Sequence, residues 1–167
     1  MIELIPAGGN ILDCGCGTGE PIMNYFLDKG FAVTGLDASE KMLGLARANF
    51  PEAALVLSDM RRLKLNKKFD AIIAWHSFFH LPAADQPDMF AKFEEHLNPN
   101  GILLFTSGSK NGEAWAINGG ESLFHASLDA VEYQNLLEKH DFKILDHKIN
   151  DSRCGNATVW LVQYNQQ

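Results

Sequence analysis

Ile11-Leu12-Asp13-Cys14-Gly15-Cys16-Gly17-Thr18-Gly19 is the stretch on which the fold depends. A short run, apolar apart from one acid, stops at a turn with glycine at every second position. A helical pattern follows over residues 20–29, with Ile22, Met23, Tyr25, Phe26 and Leu27 on its apolar side. In open α/β sheets ligands bind beyond the carboxyl ends of strands, where the topology switches. Glycines at such a turn remove side chains and let a ligand lie against the backbone.

Outward from this turn the strand–helix unit repeats. Strands are predicted at 31–36, 54–57, 71–75 and 102–106, and helices at 39–49, with Pro51 as its stop, and at 82–97. Alternating units favour a parallel sheet with helices on both faces, and the strands read as continuous apolar runs, as strands buried on both sides do. The last third differs: a helix over 128–140 is followed by strands 142–145 and 158–162 with no helix between them, so these two are expected to be antiparallel. Residues 108–120 are polar and glycine-rich and read as a mobile loop near the active face. The 167 residues fit a single domain with one core.

The ligand at the first turn follows from charge. A dinucleotide fingerprint, G-x-G-x-x-G, seats a pyrophosphate on the helix N-terminus. Here Glu20 stands where the last glycine belongs, and its charge opposes a phosphate. S-adenosylmethionine (SAM) carries no phosphate and a positive sulfonium, and the acids Asp13, Glu20, Asp37 and Asp59 suit it better. A glycine-rich turn without a ligand is the plain alternative, with Asp13 and Glu20 merely favouring the helix start. Asp37 ends the second strand about twenty residues beyond the turn, the spacing at which a carboxylate meets ribose hydroxyls. Alone it serves equally well as a cap for the helix beginning near Ser39; following the glycine turn at this distance, it favours ribose. Asp59 ends the third strand, where a carboxylate can accept the adenine amino group while Met60 covers the ring face.

Together these pieces resemble the class I SAM-dependent methyltransferases that act on small molecules. The resemblance is carried, in order, by residues 12–19, by Gly35-Leu36-Asp37-Ala38-Ser39 with Met42-Leu43, and by Ser58-Asp59-Met60. Phe69-Asp70-Ala71-Ile72-Ile73 with Phe79-His80-Leu81 and then residues 97–103 complete it, so that it spans residues 10 to about 108. It implies a doubly wound, mostly parallel seven-stranded sheet with an antiparallel last strand. It implies that Asp13 and the backbone of Gly15, Cys16, Gly17 and Gly19 hold the methionine part. Asp37 with Ala38 would hold the ribose, Asp59 and the Met60 amide the adenine, and Trp75 and His76 would lie beside methionine and substrate. Members of this family usually carry helices before the glycine strand that form a lid. Only ten residues precede Ile11 here, so the expectation is one domain over 1–167 that lacks that lid, receives it from a partner chain or second copy, or is a truncated sequence. Asn100 replaces a frequent glycine, which Asn tolerates because it accepts left-handed turns.

Methyl transfer from a sulfonium is an in-line displacement in which the protein supplies position and excludes water; a base is needed only when the nucleophile arrives protonated. Histidine suits that task near neutral pH. His80, then His125, then His76 are the candidates, each weighed against an ordinary hydrogen-bonded structural histidine. Residues 123–127 are placed to close over the pocket.

Charge and composition narrow the remaining classes. With 21 acidic and 14 basic side chains the net charge is −7, which argues against nucleic-acid or anionic-membrane binding. Ala74-Trp75-His76-Ser77 after the fourth strand also lacks the acid-or-Asn, double-proline pattern of amino-methylating DNA enzymes. No apolar run is long enough to cross a bilayer, no signal peptide is evident, and three cysteines suggest reduced thiols and a cytoplasmic location. Cys14-x-Cys16 lacks a second ligand pair, so no metal site is expected. The basic residues Arg61, Arg62, Lys64, Lys67 and Lys68 read as a solvated connector. A small-molecule methyltransferase is the leading reading. A non-catalytic SAM-binding or interaction subunit and, more weakly, a nicotinamide-dependent oxidoreductase are its rivals, because fold alone does not prove activity.

Overall fold

A computed structural model describes residues 1–118 and 120–165. Nine strands and four α-helices follow in the order β1 (Asn10–Cys14), α1 (Ile22–Asp28), β2 (Ala32–Asp37), α2 (Glu40–Asn49), β3 (Ala54–Leu57), β4 (Phe69–Ala74), α3 (Gln86–His96), β5 (Leu97–Ser107), β6 (Gly112–Asn118), β7 (Glu121–Ser127), α4 (Ala130–Lys139), β8 (Phe142–Asp151) and β9 (Ala157–Tyr164). Seven strands form one sheet in the order β3-β2-β1-β4-β5-β9-β8. β1 pairs in parallel with β2 and β4, β2 with β3, and β4 with β5, whereas β9 runs antiparallel to both β5 and β8. The doubly wound sheet with an antiparallel last strand is thus as expected. The winding reverses between β1 and β4, which places the glycine turn at the switch point.

Local chemistry sets the helix starts. Ser39 accepts the Met42 N–H at 3.3 Å to open α2. Asp129 and Glu132 form a reciprocal capping box at α4, with bonds of 2.8 and 3.0 Å. α1 begins at Ile22 rather than at the predicted Glu20; Glu20 is exposed and accepts the Asn24 side-chain amide at 3.2 Å. At the far end of the sheet Asp70 ties three segments together, accepting the Asn10 N–H and the Asn98 amide, each at 2.8 Å. Asn100 adopts φ 63°, as its replacement of a glycine requires.

The two faces of the sheet bury different cores. Against α3 and α4 lies an aromatic cluster of Phe78, Phe90, Phe93, Phe105, Tyr133 and Trp160 around the inward residues of β1, β4 and β5. Full burial of each such ring stabilises by roughly 1.5–3 kcal/mol. The other face is smaller, with Met23, Phe26 and Phe31 set against Ile11, Val33, Ala71 and Ile73. Among the described residues no helix is long and apolar enough to cross a membrane.

The stretch 108–120, of which residue 119 lies outside the described residues, departs from the expected loop. Most of it forms β6, which pairs antiparallel with β7 in a separate two-stranded sheet, in register from Gly112–Ser127 to Asn118–Glu121. β8 also runs to Asp151, well past the predicted 145. β6 is largely exposed with a consecutive apolar run, Ala114–Ile117, and β8 is largely polar and exposed, so neither has the alternation that reveals a strand; cross-strand pairing makes them.

Candidate cofactor crevice and acceptor cavity

The turn after β1 works through its backbone. Gly15 adopts φ 86°, and a Cβ on it would lie 2.3 Å from the Ser77 Cβ. Glycine there lets the β1 and β4 turns meet, and the Ser77 hydroxyl donates to the Cys14 carbonyl at 2.6 Å. Gly17, at φ 55°, has nothing within 4 Å of its Cβ position, and the space beside it is a crevice of about 520 Å³. Gly15, Gly17, Asp37, Ala38, Asp59, Met60 and His76, all named from the sequence, line this crevice, and His80 lies on it too. Leu123, from the 123–127 segment expected to close over the pocket, is on its wall, and sequence reasoning missed Arg61 and Ser77 there.

Four expected residues do not line it: Asp13 lies buried behind the glycine turn, and Gly19, Cys16 and Trp75 contribute differently. A Cβ at Gly19 would strike the Phe50 ring at 2.6 Å, so this glycine serves packing of the turn against the end of α2. Cys16 is buried with its Sγ close to Gly35, and burial pushes its thiol up to about 12. Trp75 follows Ala74 on the alternating strand and is carried to the opposite sheet face. There it packs with the smaller core and lines a separate cavity with Met1, Leu104 and Leu161.

The acids divide the crevice. Asp37 accepts the Gly17 N–H at 2.9 Å on one oxygen and the Ser39 N–H at 2.8 Å on the other. It therefore braces the glycine turn and the start of α2, and each oxygen keeps a lone pair for a further donor. Asp59 is more committed. It accepts the Arg61 N–H at 2.9 Å and its Nε at 3.0 Å, and hydrogen bonding from the Arg61 side chain holds its carboxyl below the usual range. The same guanidinium reaches Asp85 at 2.9 Å.

Asp13 is 2% exposed, and its Oδ2 is buried without a partner. Burial first, and the charge of Asp37 second, push its carboxyl up to about 7. A buried carboxylate oxygen with no donor, next to a second acid, fits a ligand that brings positive charge. SAM carries both a sulfonium and an ammonium, so the residues present fit this cofactor.

Beyond β4 the chain brings three imidazoles together. His76 adopts φ 50°, an uncommon conformation for a non-glycine residue, and its N–H donates to Thr106 Oγ1 at 2.9 Å. His80 Nδ1 lies 2.8 Å from the Phe124 carbonyl of β7. A carbonyl only accepts, so Nδ1 carries the hydrogen and neutral His80 presents Nε2 as an acceptor. The His80 and His125 ring centroids are 4.8 Å apart, and Phe79 stands edge-on to His125 at 4.9 Å. Burial, then the neighbouring His80, lower the pKa of both His76 and His125. His125 lines a second cavity of about 320 Å³, with Phe79, Ser107, Lys110, Glu113 and Ser127. His80 lines the crevice and His125 lines this cavity, so their neighbouring rings connect the walls of the two spaces. His96 provides a contrast: both ring nitrogens serve the backbone, Nδ1 donating to Lys92 at 2.7 Å and Nε2 accepting from Leu65 at 2.9 Å.

The family description "Methyltransferase domain" matches residues 11–101, from β1 into β5. The chain belongs to the S-adenosylmethionine-dependent methyltransferase family. The chain is 30% identical to an uncharacterized methyltransferase of Bacillus cytotoxicus over 175 residues, covering 95% of this chain and 78% of that protein. It is 35% identical over 101 residues to the dTDP-3-amino-3,4,6-trideoxy-alpha-D-glucopyranose N,N-dimethyltransferase of Streptomyces venezuelae, covering 59% of this chain and 42% of that one. The chain spans about two fifths of the length of the first curated relatives that it matches, 42%, 43% and 39%. Its fold is shared with a SAM-dependent methyltransferase of Clostridium acetobutylicum, at TM-score 0.81, 18% identity and coverage of 99% and 87%. The glycopeptide N-methyltransferase MtfA complexed with S-adenosylhomocysteine is also similar, at TM-score 0.78, 19% identity and coverage of 98% and 86%. SAM is the methyl donor of this family. The nicotinamide reading of the glycine turn is thereby replaced, in keeping with the antiparallel β9 inserted between β5 and β8.

Proposed function

We propose that this methyltransferase transfers the methyl group of SAM to a small-molecule acceptor held in the 320 Å³ cavity. The observation that carries this reading is the juxtaposition of a crevice suited to a cationic nucleoside with a second cavity across the His80–His125 pair. When bound, SAM supplies an already activated methyl group. The chain's own residues bind, orient and exclude water. Asp37 receives the ribose hydroxyls on its spare lone pairs, and Asp13, once ionised, answers the positive charge of the methionine end. Met60 covers the adenine, and Asp59 receives its amino group by sharing oxygens with Arg61. His80 presents Nε2 toward the junction, and it and His125 accept the proton that an N–H or O–H nucleophile loses; His76, strained on the crevice wall, orders the methionine end. β7 closes part of the site through Leu123. The sugar N,N-dimethyltransferases among the relatives support a small molecule over a macromolecule. Cys14 and Cys16, both free and buried, agree with a reducing, cytoplasmic setting.

The test is calorimetric titration of SAM into the purified chain, followed by an acceptor screen that reads S-adenosylhomocysteine. Binding with turnover supports the proposal. Binding without turnover on any acceptor assigns a non-catalytic SAM-binding role, and no binding overturns the cofactor assignment of the crevice.

A further inference from the structure

Gln86, the first residue of α3, is fully buried and contributes nothing to either cavity wall. A carboxamide in a core is costly unless its hydrogen-bonding capacity is met. Here it is met by a specific set of partners. Its Nε2 donates to the Leu81 carbonyl at 3.0 Å and to the Ala126 carbonyl at 2.9 Å. Its Oε1 accepts the Tyr133 hydroxyl at 2.6 Å, and that same oxygen of Tyr133 accepts the Leu128 N–H at 3.2 Å. Leu81 follows His80 in the chain, and Ala126 follows His125. One amide group therefore holds together the backbone immediately after each of the two imidazoles. Tyr133, from α4, fixes the orientation of that amide and ties down Leu128, the residue just after β7. The His80–Phe124 bond adds a direct polar link between the turn after β4 and the β6–β7 hairpin.

We propose that the Gln86 carboxamide, oriented by the Tyr133 hydroxyl, is a positioning device that sets the separation of His80 and His125 and so keeps the crevice and the acceptor cavity aligned. This rests on the reading of those cavities given above. Gln86 and Tyr133 touch neither space; they act through the backbone of Leu81 and Ala126. An apolar residue of similar volume would pack in the same place, yet it would leave two carbonyls without donors and free the hairpin to shift. The charged or titratable groups facing His125 are His80, Lys110 and Glu113, so a shift of the hairpin changes the surroundings of that ring directly.

The experiment compares native protein with Tyr133→Phe, which deletes a single oxygen from a retained ring, and with Gln86→Leu. Long-range ¹H–¹⁵N spectra of the histidine rings are recorded against pH, with SAM binding measured by calorimetry in parallel. In both variants His80 is expected to lose its single Nδ1–H tautomer signature, and the titration midpoint of His125 to rise toward the ordinary histidine value. SAM affinity should stay within about twofold, because the crevice acids share no partner with the clamp. His96, whose ring is bonded to Lys92 and Leu65, should keep its signature and so separates a local effect from general loosening. If both variants fold and the His80 and His125 signals match the native ones, the positioning role is overturned. A change of His96 along with them overturns it equally, in favour of a purely structural role. If Gln86→Leu does not fold, Tyr133→Phe decides alone. Failure of the native chain to bind SAM defeats the functional reading, while the ring spectra still decide the clamp.

Discussion

The crevice and the acceptor cavity are built by opposite strategies. The crevice is made of backbone and short acids on the ends of buried parallel strands. Gly15, Gly17 and Asp37 come from adjacent strand ends, and one carboxylate bonded to Gly17 and Ser39 holds two of those ends in place. The cavity is made of side chains on exposed elements. Its roof is a two-stranded hairpin whose outer face leaves Trp115 70% and Ile117 82% exposed, and its link to the body runs through a few side-chain bonds. The first site is therefore rigid by sheet pairing. The second, roofed by a largely exposed hairpin, is less constrained.

The sharpest way to break this comparison is to remove the imidazole at the junction. His80→Ala should lower the turnover of an acceptor found by screening by roughly 10²–10⁴-fold, read as S-adenosylhomocysteine release, while calorimetry returns native SAM affinity. A matching loss of SAM binding would show that the two sites are one. Next in size is the glycine pair. Gly15→Ala should destabilise by about 3 kcal/mol or more, because a left-handed backbone and the contact with Ser77 act together. Gly17→Ala, with open space around it, should cost about 1–2 kcal/mol. Thermal unfolding of the two variants side by side checks this, and equal losses would remove the distinction between packing glycine and crevice glycine.

Asp37→Ala should weaken SAM binding by about 1.5–3 kcal/mol in calorimetry and leave the ring signals of His80 and His125 unchanged. A separate test concerns pH. A carboxyl raised from 3.8 to about 7 in the folded state binds its proton more tightly there than when unfolded. The stability of the ligand-free chain should therefore fall as pH rises from about 4 to about 7. Asp13→Asn should flatten that slope in denaturant titrations. Since the ionised form receives the positive charge, SAM affinity should rise through the same window with release of a proton; a pH-independent affinity would remove Asp13 from the site.

The crevice was legible because its residues obey local rules. A glycine turn after an apolar strand and an acid about twenty residues on each need only a short window to be read. Asp59 was legible as a strand-end acid, but its pairing with Arg61 was not, since an arginine two residues away reads as part of a basic connector. Trp75 was placed on the wrong side because the end of β4 fixes which face each neighbour takes, and the strand ends one residue earlier than its apolar run. The hairpin was illegible: Gly112-Glu113-Ala114-Trp115-Ala116-Ile117 carries no clean alternation, and its strand character comes from pairing with β7.

By itself the sequence determined the winding of the sheet, the switch-point turn and the acids that face it, because strand burial, glycine spacing and helix caps are short-range properties of the chain. Tertiary structure alone decided that His80 and His125 stand 4.8 Å apart. It also decided that a buried amide 40 residues from one of its acceptors joins the segments that carry them. No local pattern encodes such a meeting, since it exists only once a two-stranded sheet has folded back over the ends of β4 and β5.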